Sequence, residues 1–308
     1  MTLRWLFSVA LHVLLVVFLV ATFTFFILQV LPGDPAALIA GMDAQPATVQ
    51  QVRTSLGLDE PVLQRYSHWL MELVQGRLGV SWTQRQAVED LLRPRLAVTL
   101  RVAALGLLYS VILGLLLALL AVAHPVGRGL VRLLEYFFFA FPQFWFALML
   151  LYVFAVRLNW FPLIGIQGSH SYVLPAVALA LGNGAVISRT ARGSLEEMFR
   201  GRHVTAARSL GIPGTRIFFR HIVPMALVPV ISVVAIQAGY LLAGAIVVEQ
   251  VFSIPGLGRL AFTAIQQRDL PVIQGTILVF AVIFPLLNGI AELLIGYIMP
   301  HLRRERMF

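Results

Sequence analysis

The sequence predicts an all-α polytopic membrane protein, and three observations carry that prediction. Of its 308 residues, 59% are apolar and only 12% are charged, too few charged side chains to cover an ordinary soluble domain. Mean hydropathy is +0.87. The apolar residues gather in six runs of the length a helix needs to cross the hydrocarbon layer, about 20 residues. The expected organisation is a first transmembrane helix (1–30), an extracytoplasmic helical region (31–97), a five-helix core (98–300) with loops at 193–224 and 250–271, and a tail (301–308).

The first run spans about Leu6–Val30 and is too long for the apolar core of a signal peptide, so it reads as a retained span. Residues 31–97 then turn polar, with six arginines against seven acids, the composition of a small water-facing insertion. Within it Pro61 stands at a plausible helix start, Val62, Tyr66, Leu70 and Leu73 recur at helical spacing, and Gly76 closes the run. Spans two and three are expected over Val98–Ala123 and Leu134–Val156, joined by a loop carrying Arg128 and Arg132. Span four covers Val173–Ile187, lengthened by the flanking "SRTA" and with Pro175 near its start, span five Ala226–Val248, and span six Val272–Ile298 with Pro285 inside.

Sidedness follows from arginine bias in the short loops. Arg4, Arg128, Arg132, Arg303, Arg304 and Arg306 fall on the side shared by both termini, which is therefore expected to be cytoplasmic. Residues 31–97 and 250–271 then face outward, and 193–224 faces inward.

Composition also excludes functions. All 23 basic residues are arginine, and a Walker-type phosphate loop requires a lysine, so nucleotide energy has to come from a partner. The basic pI of 10.9 reflects arginines beside apolar spans, not a nucleic-acid surface. Cysteine is absent, which removes disulfides, thiolate metal sites and thiol nucleophiles. The seven histidines are scattered, so no metal site and no cofactor are expected in this chain. No nucleophile and base pair occurs within a span, so an enzyme is not expected.

Residues 202–224, "RHVTAARSLGIPGTRIFFRHIVP", interrupt this apolar chain with a basic segment. Ser194 and Glu197 have capping-box spacing for a helix start. Val204, Ala207 and Leu210 then share one face, and Arg202, Thr205 and Arg208 another. Gly211 and Pro213 stop that helix, and Thr215 can cap a second one ending near Pro224. Two surface helices lying among lipid headgroups would satisfy the pattern. The small residues Ala206, Ala207 and Gly211 suit a second reading, an insert for a groove on a partner protein.

The segment resembles the EAA loop of ABC importer permeases, with Ala206, Ala207, Gly211 and Pro224 at the pattern's spacing. Thr205, His221 and Val223 replace its glutamate, isoleucine and leucine. Further stretches, "LPGDP" (31–35), "LGLDEPVLQRY" (56–66), "GRLGVSW" (76–82) and "VEQVFSIPGLGRLAFTAIQQRDLPVIQG" (248–275), resemble the first permease subunit of dipeptide, oligopeptide and nickel importers. After span six the family often has Asp-Pro-Arg where this chain has Met299, Pro300 and His301. The resemblance implies a type I importer fold with a homologous second permease, two ATP-binding subunits that hold ATP and Mg, and an extracytoplasmic substrate-binding protein, in the bacterial inner membrane. It implies ATPase coupling by Arg202, Val204, Thr205, Ala206, Ala207, Arg208, Leu210, Gly211 and Pro224. The implied substrate is a small peptide, or alternatively nickel or a metal chelate.

Polar residues inside the spans are candidates for the translocation pathway: Gln143, Asn183, Gln237 and Asn288. The alternative for each is a hydrogen bond between helices. Glu292 is ionisable but close to the end of its span. Pro255, Gly256, Gly258, Arg259, Arg268 and Asp269 make the loop at 250–271 a candidate outer gate or docking surface, or else a loop packed on residues 31–97. A self-sufficient channel or ion-coupled carrier should show charged pairs deep in its spans and an internal repeat, and the sequence reads as having neither.

Overall fold

A computed structural model of the chain describes residues 3–30, 34–41 and 44–298. Apart from one antiparallel bridge between Val80 and Ala87, the regular elements of the described residues are helical. Helix α1 (Leu3–Val30) is predominantly apolar, with Arg4 and His12 near its start and Gln29 near its end. The first three residues of "LPGDP" lie outside the described residues. Asp34 then caps α2 (Pro35–Ala40), its carboxylate accepting from the Ala36 amide at 3.0 Å, while Pro35 stands where no amide donor is needed. Helices α3 (Pro46–Ser55) and α4 (Val62–Val74) follow. The run expected after Pro61 is therefore present, and it ends where Gly76 takes a φ of +76°.

Helix α5 (Val88–Ala123) is one continuous 36-residue element. It starts at Val88 rather than Val98, within the stretch assigned to the polar insertion. The arginine-bearing "loop" after it is helical too, as the start of α6 (Pro125–Ala140).

The third span is not a single helix. Helix α6 ends at Ala140, and α7 (Gln143–Leu150), prolonged by a π-helical turn over Leu151–Arg157, departs at 99°. The cause is local: Phe141 precedes Pro142, whose ring excludes the helical region for its neighbour, and Phe141 is extended at φ −92°, ψ 138°.

A 3₁₀ turn (Ser169–Tyr172) leads into α8 (Val173–Phe199), 27 residues long. Ser194, expected to cap a new helix, is instead buried within α8. Helix α9 (Arg202–Ser209) and the short α10 (Gly214–Ile217) follow; α10 starts at Pro213 with no side-chain cap, so Thr215 does not play the role expected of it. A π turn (Phe218–Ile222) continues into α11 (Val223–Val251), then come α12 (Leu257–Gln267) and α13 (Leu270–Ile298), which contains Pro285. Among the described residues, five helices are long and apolar enough to cross a membrane, or six spans if the bent α6–α7 pair counts as one. Leu14, Phe18 and Phe23 of α1 are exposed, as a lipid-facing side requires.

The described residues divide into two compact units, those within 1–99 and 255–285 and those within 100–254 and 286–298. In the first, Val88, Leu91 and Leu92 of α5 pack with Leu257 and Leu260 of α12 and Val272 and Ile273 of α13. In the second, α8 is the central helix, packed on α6, α7 and α11. Helix α5 crosses it through glycines: a Cβ on Gly114 would lie 2.7 Å from Ile187 Cγ2. Small residues let membrane helices approach closely where no hydrophobic effect drives them together.

Candidate functional site

Within the second unit, α6, α7, α8 and α11 enclose a cleft of about 540 Å³. The break at Phe141–Pro142 builds it, because it turns the start of α7 inward and puts Gln143 beside Phe141 and Phe146 on the cleft wall. Asn183 comes from α8 and Gln237 from α11, so three of the four amides singled out in the sequence line one cavity. Asn288, on α13, is not among the lining residues. Asn183 donates to the Leu179 carbonyl at 2.6 Å, and Gln237 is buried. Gly244 leaves the room that Gln143 fills, since a Cβ there would overlap the carboxamide. The remaining wall is mainly aromatic and aliphatic, including Phe138, Phe139 and Tyr240. Such a surface suits a partly apolar solute and presents amides that can hydrogen-bond its polar groups.

At one end of α8 the chain folds into the helical corner α9–α10. Val204 is buried with Leu195, Ile217, Ile222 and Ala226, and Ala207 and Ile212 pack on the same cluster. Gly211 adopts φ +73°. Its amide donates to the Arg208 carbonyl at 3.0 Å, and the Ile212 amide donates to the Ala207 carbonyl at 3.2 Å. That pair of bonds is a Schellman ending, completed by the apolar contact of Ile212 with the buried side of α9. Leu210 does not join Val204 and Ala207 as expected. It sits past the last helical turn, where the ending carries it outward, and it is 79% exposed. The exposed surface therefore includes Arg202, Thr205, Ala206, Arg208 and Leu210, together with His203 and Ser209, while Pro224 stands in the first turn of α11.

A buried charged network joins α6 to α8, and the sequence reading missed it. Glu135 is 2% exposed. It accepts from Ser188 Oγ at 2.7 Å and from an Arg192 guanidinium nitrogen at 3.1 Å. A second carboxylate, Glu196, lies 3.9 Å from Arg192 and 3.7 Å from Arg128. Arg192 Nε and Glu196 Oε1 are buried without a hydrogen-bond partner. The expectation that the spans hold no charged pair is thus corrected: the partners are 57 residues apart in sequence and meet only once α6 lies on α8. A usable signal did exist, an acid inside the apolar run "RLLEYFFF" and a Ser188–Arg192 pair at helical spacing. The side chain of Glu292 lies outside the described residues.

In the first unit, the candidates at 255–269 divide between turn and anchor. Gly256 precedes α12 as its N-cap, Gly258 is buried inside the helix, Pro255 is exposed and Arg259 is half-buried. Arg268 ends α12 in the left-handed region at φ 52°. Asp269 is 1% exposed. It accepts from Ser81 Oγ at 2.5 Å, the Trp82 amide at 3.2 Å, the Thr83 amide at 3.1 Å and Thr83 Oγ1 at 2.7 Å. Its carboxylate is consumed by the turn at 81–83.

Comparison with known proteins agrees with this architecture. The family model described as "Binding-protein-dependent transport system inner membrane component" matches residues 110–304, and its N-terminal companion matches residues 2–103. The glutathione transport system permease protein GsiC of Escherichia coli O6:H1 is 35% identical over 93% of this chain and 94% of its own length. The protein of the same name from Escherichia coli K12 is 34% identical over the same shares. Among solved structures, the MetNI methionine ABC transporter in an inward-facing conformation covers 68% of this chain and 96% of its own with a TM-score of 0.56 at 21% identity. An amino acid ABC transporter covers 68% of this chain and 94% of its own, with a TM-score of 0.55 at 18% identity. At such identities the two structures speak for the fold.

Proposed function

Because the chain belongs to the family of binding-protein-dependent transport system inner membrane components, we propose that it forms half of a translocation pathway for glutathione or similar small peptides. The chain is a non-catalytic permease subunit of an ABC importer in the inner membrane, working with ATPase and substrate-binding components. One observation carries the finer reading: Gln143, Asn183 and Gln237, drawn from three helices, converge on one cleft in the unit that also carries α9. Amide side chains match the amides of a peptide group for group, and the aromatic wall accommodates its apolar parts. The names of the relatives point to a tripeptide rather than a metal chelate.

In this reading α9 is the coupling helix. Arg202, Thr205, Ala206 and Leu210 face a groove on an ATPase subunit, while Val204 and Ala207 anchor the helix to its own unit. ATP-driven closure of the ATPase pair moves the groove, and the knob passes the movement to the spans as a rigid-body change of access. The ends of the chain and α9 lie in the cytoplasm, and residues 31–97 and 250–271 lie outside, where the binding protein docks.

The test is uptake by proteoliposomes rebuilt from this chain, its partner permease, its ATPases and its binding protein. ATP-dependent accumulation of labelled glutathione or a dipeptide is expected, with no accumulation of nickel. Nickel uptake, or peptide uptake indifferent to ATP, contradicts the reading.

A further inference from the structure

Helix α8 has two ends with different tasks under this reading. Gly182, Asn183 and Val186 form part of the cleft wall, and after Phe199 the chain enters α9. Helix α6 contributes the opposite wall through Phe138 and Phe139, one turn beyond Glu135. A push on α9 can reshape the cleft only if α6 and α8 keep their alignment. Between them, the apolar contacts permit sliding, because dispersion and burial have little directional preference. The Glu135–Ser188–Arg192 group does not: its bonds of 2.7 and 3.1 Å hold in one alignment, and losing them strands a charge away from water.

We propose that Glu135 and Arg192 are positioning residues for coupling: their buried ion pair, steadied by Ser188, makes the cleft wall on α6 travel with the α8–α9 arm. The role rests on the reading of α9 as the coupling helix. Stability does not explain why charges stand here, since a buried ion pair is commonly matched or exceeded by well-packed apolar residues. What the pair supplies is a single register. A second carboxylate, Glu196, lies 3.9 Å from Arg192, one turn along α8, and keeps the guanidinium charge compensated on that helix.

The experiment compares solute moved per ATP hydrolysed in the reconstituted complex for the wild type, Ser188→Ala, Glu135→Gln, Arg192→Gln and the double variant Glu135→Gln/Arg192→Gln. The expected result is a fall of at least tenfold in that ratio for the double variant and each charged-residue single, with a smaller fall for Ser188→Ala. ATPase subunits should still co-purify in wild-type proportion. A structural pair lowers transport and hydrolysis together and leaves the ratio at its wild-type value; that result, in either the double variant or Ser188→Ala, overturns the proposal. Should the charged-residue singles fold poorly, Ser188→Ala retains both charges and the double variant strands neither. A Leu210→Glu arm, measured alongside, separates the two readings: normal uptake there removes the coupling-helix assignment, whereas lost uptake with an unchanged ratio in the pair variants removes only the positioning role.

Discussion

Asp269 and Glu135 are both carboxylates sunk in apolar packing, at 1% and 2% exposure, one in each compact unit. Asp269 takes its bonds from hydroxyls and main-chain amides of a single tight turn. Glu135 takes its bonds from a serine and an arginine on a neighbouring helix, in a network that includes unpartnered atoms. The first arrangement is closed: its donors are uncharged, and two are amides that cannot turn elsewhere. The second is adjustable, because Arg192 lies between two carboxylates. A polar group that holds a corner is satisfied by its neighbours in the turn, whereas one that links two helices depends on partners that only tertiary packing brings to it.

This contrast can be broken by substitution, starting with the largest effect. Asp269→Ala is expected to destabilise the first unit by about 4 kcal/mol, since it strands the buried Ser81 hydroxyl at about 1–3 kcal/mol and removes three part-buried bonds from Trp82 and Thr83; thermal unfolding followed by tryptophan fluorescence checks it. Glu135→Ala is expected to cost about 3 kcal/mol, the low end for breaking a buried pair, because Arg192 can turn toward Glu196. Replacing both partners, Glu135→Met with Arg192→Met, should return stability to within about 1 kcal/mol of wild type, measured by the same unfolding assay. No double replacement can do that for Asp269, whose partners include the main chain.

A smaller effect sharpens the comparison at α9. Gly211→Ala meets open space, so only the left-handed φ of +73° opposes it, at about 1 kcal/mol; Gly211→Asn should cost less. Leu210→Glu is expected to change stability by less than about 0.5 kcal/mol, as an exposed position away from any buried network, while abolishing uptake. Ala207→Glu would mix the two effects, since Ala207 packs on the cluster around Val204.

What the sequence made legible was local. The apolar runs, Pro61, Gly76 and the Gly211–Pro213 corner each act within a few residues, and each reappears in the structure. Pro142 was an equally local signal for the broken third span, but it lay inside an apolar run long enough to be taken for one helix. Ser194 and Glu197 show the converse: their spacing fits a helix start, yet α8 continues because Leu195 through Phe199 favour helix and no breaker comes before Gly201. The three cleft amides could be named as polar residues in spans, but their meeting is tertiary. The same holds for Asp269, whose Ser81 partner is 188 residues away, and for Glu135 with Arg192.

The central claim, that α9 is held by an ATP-driven partner, is open to direct measurement because the chain contains no cysteine. Leu210→Cys therefore creates the chain's sole thiol, at a position 79% exposed in the wild type. In membranes containing the whole transporter, a short thiol-reactive cross-linker at this position should join the chain to an ATPase subunit, with a yield that changes when ATP is added. Cross-linking to no protein, while the ATPases remain bound to the complex, would contradict the account.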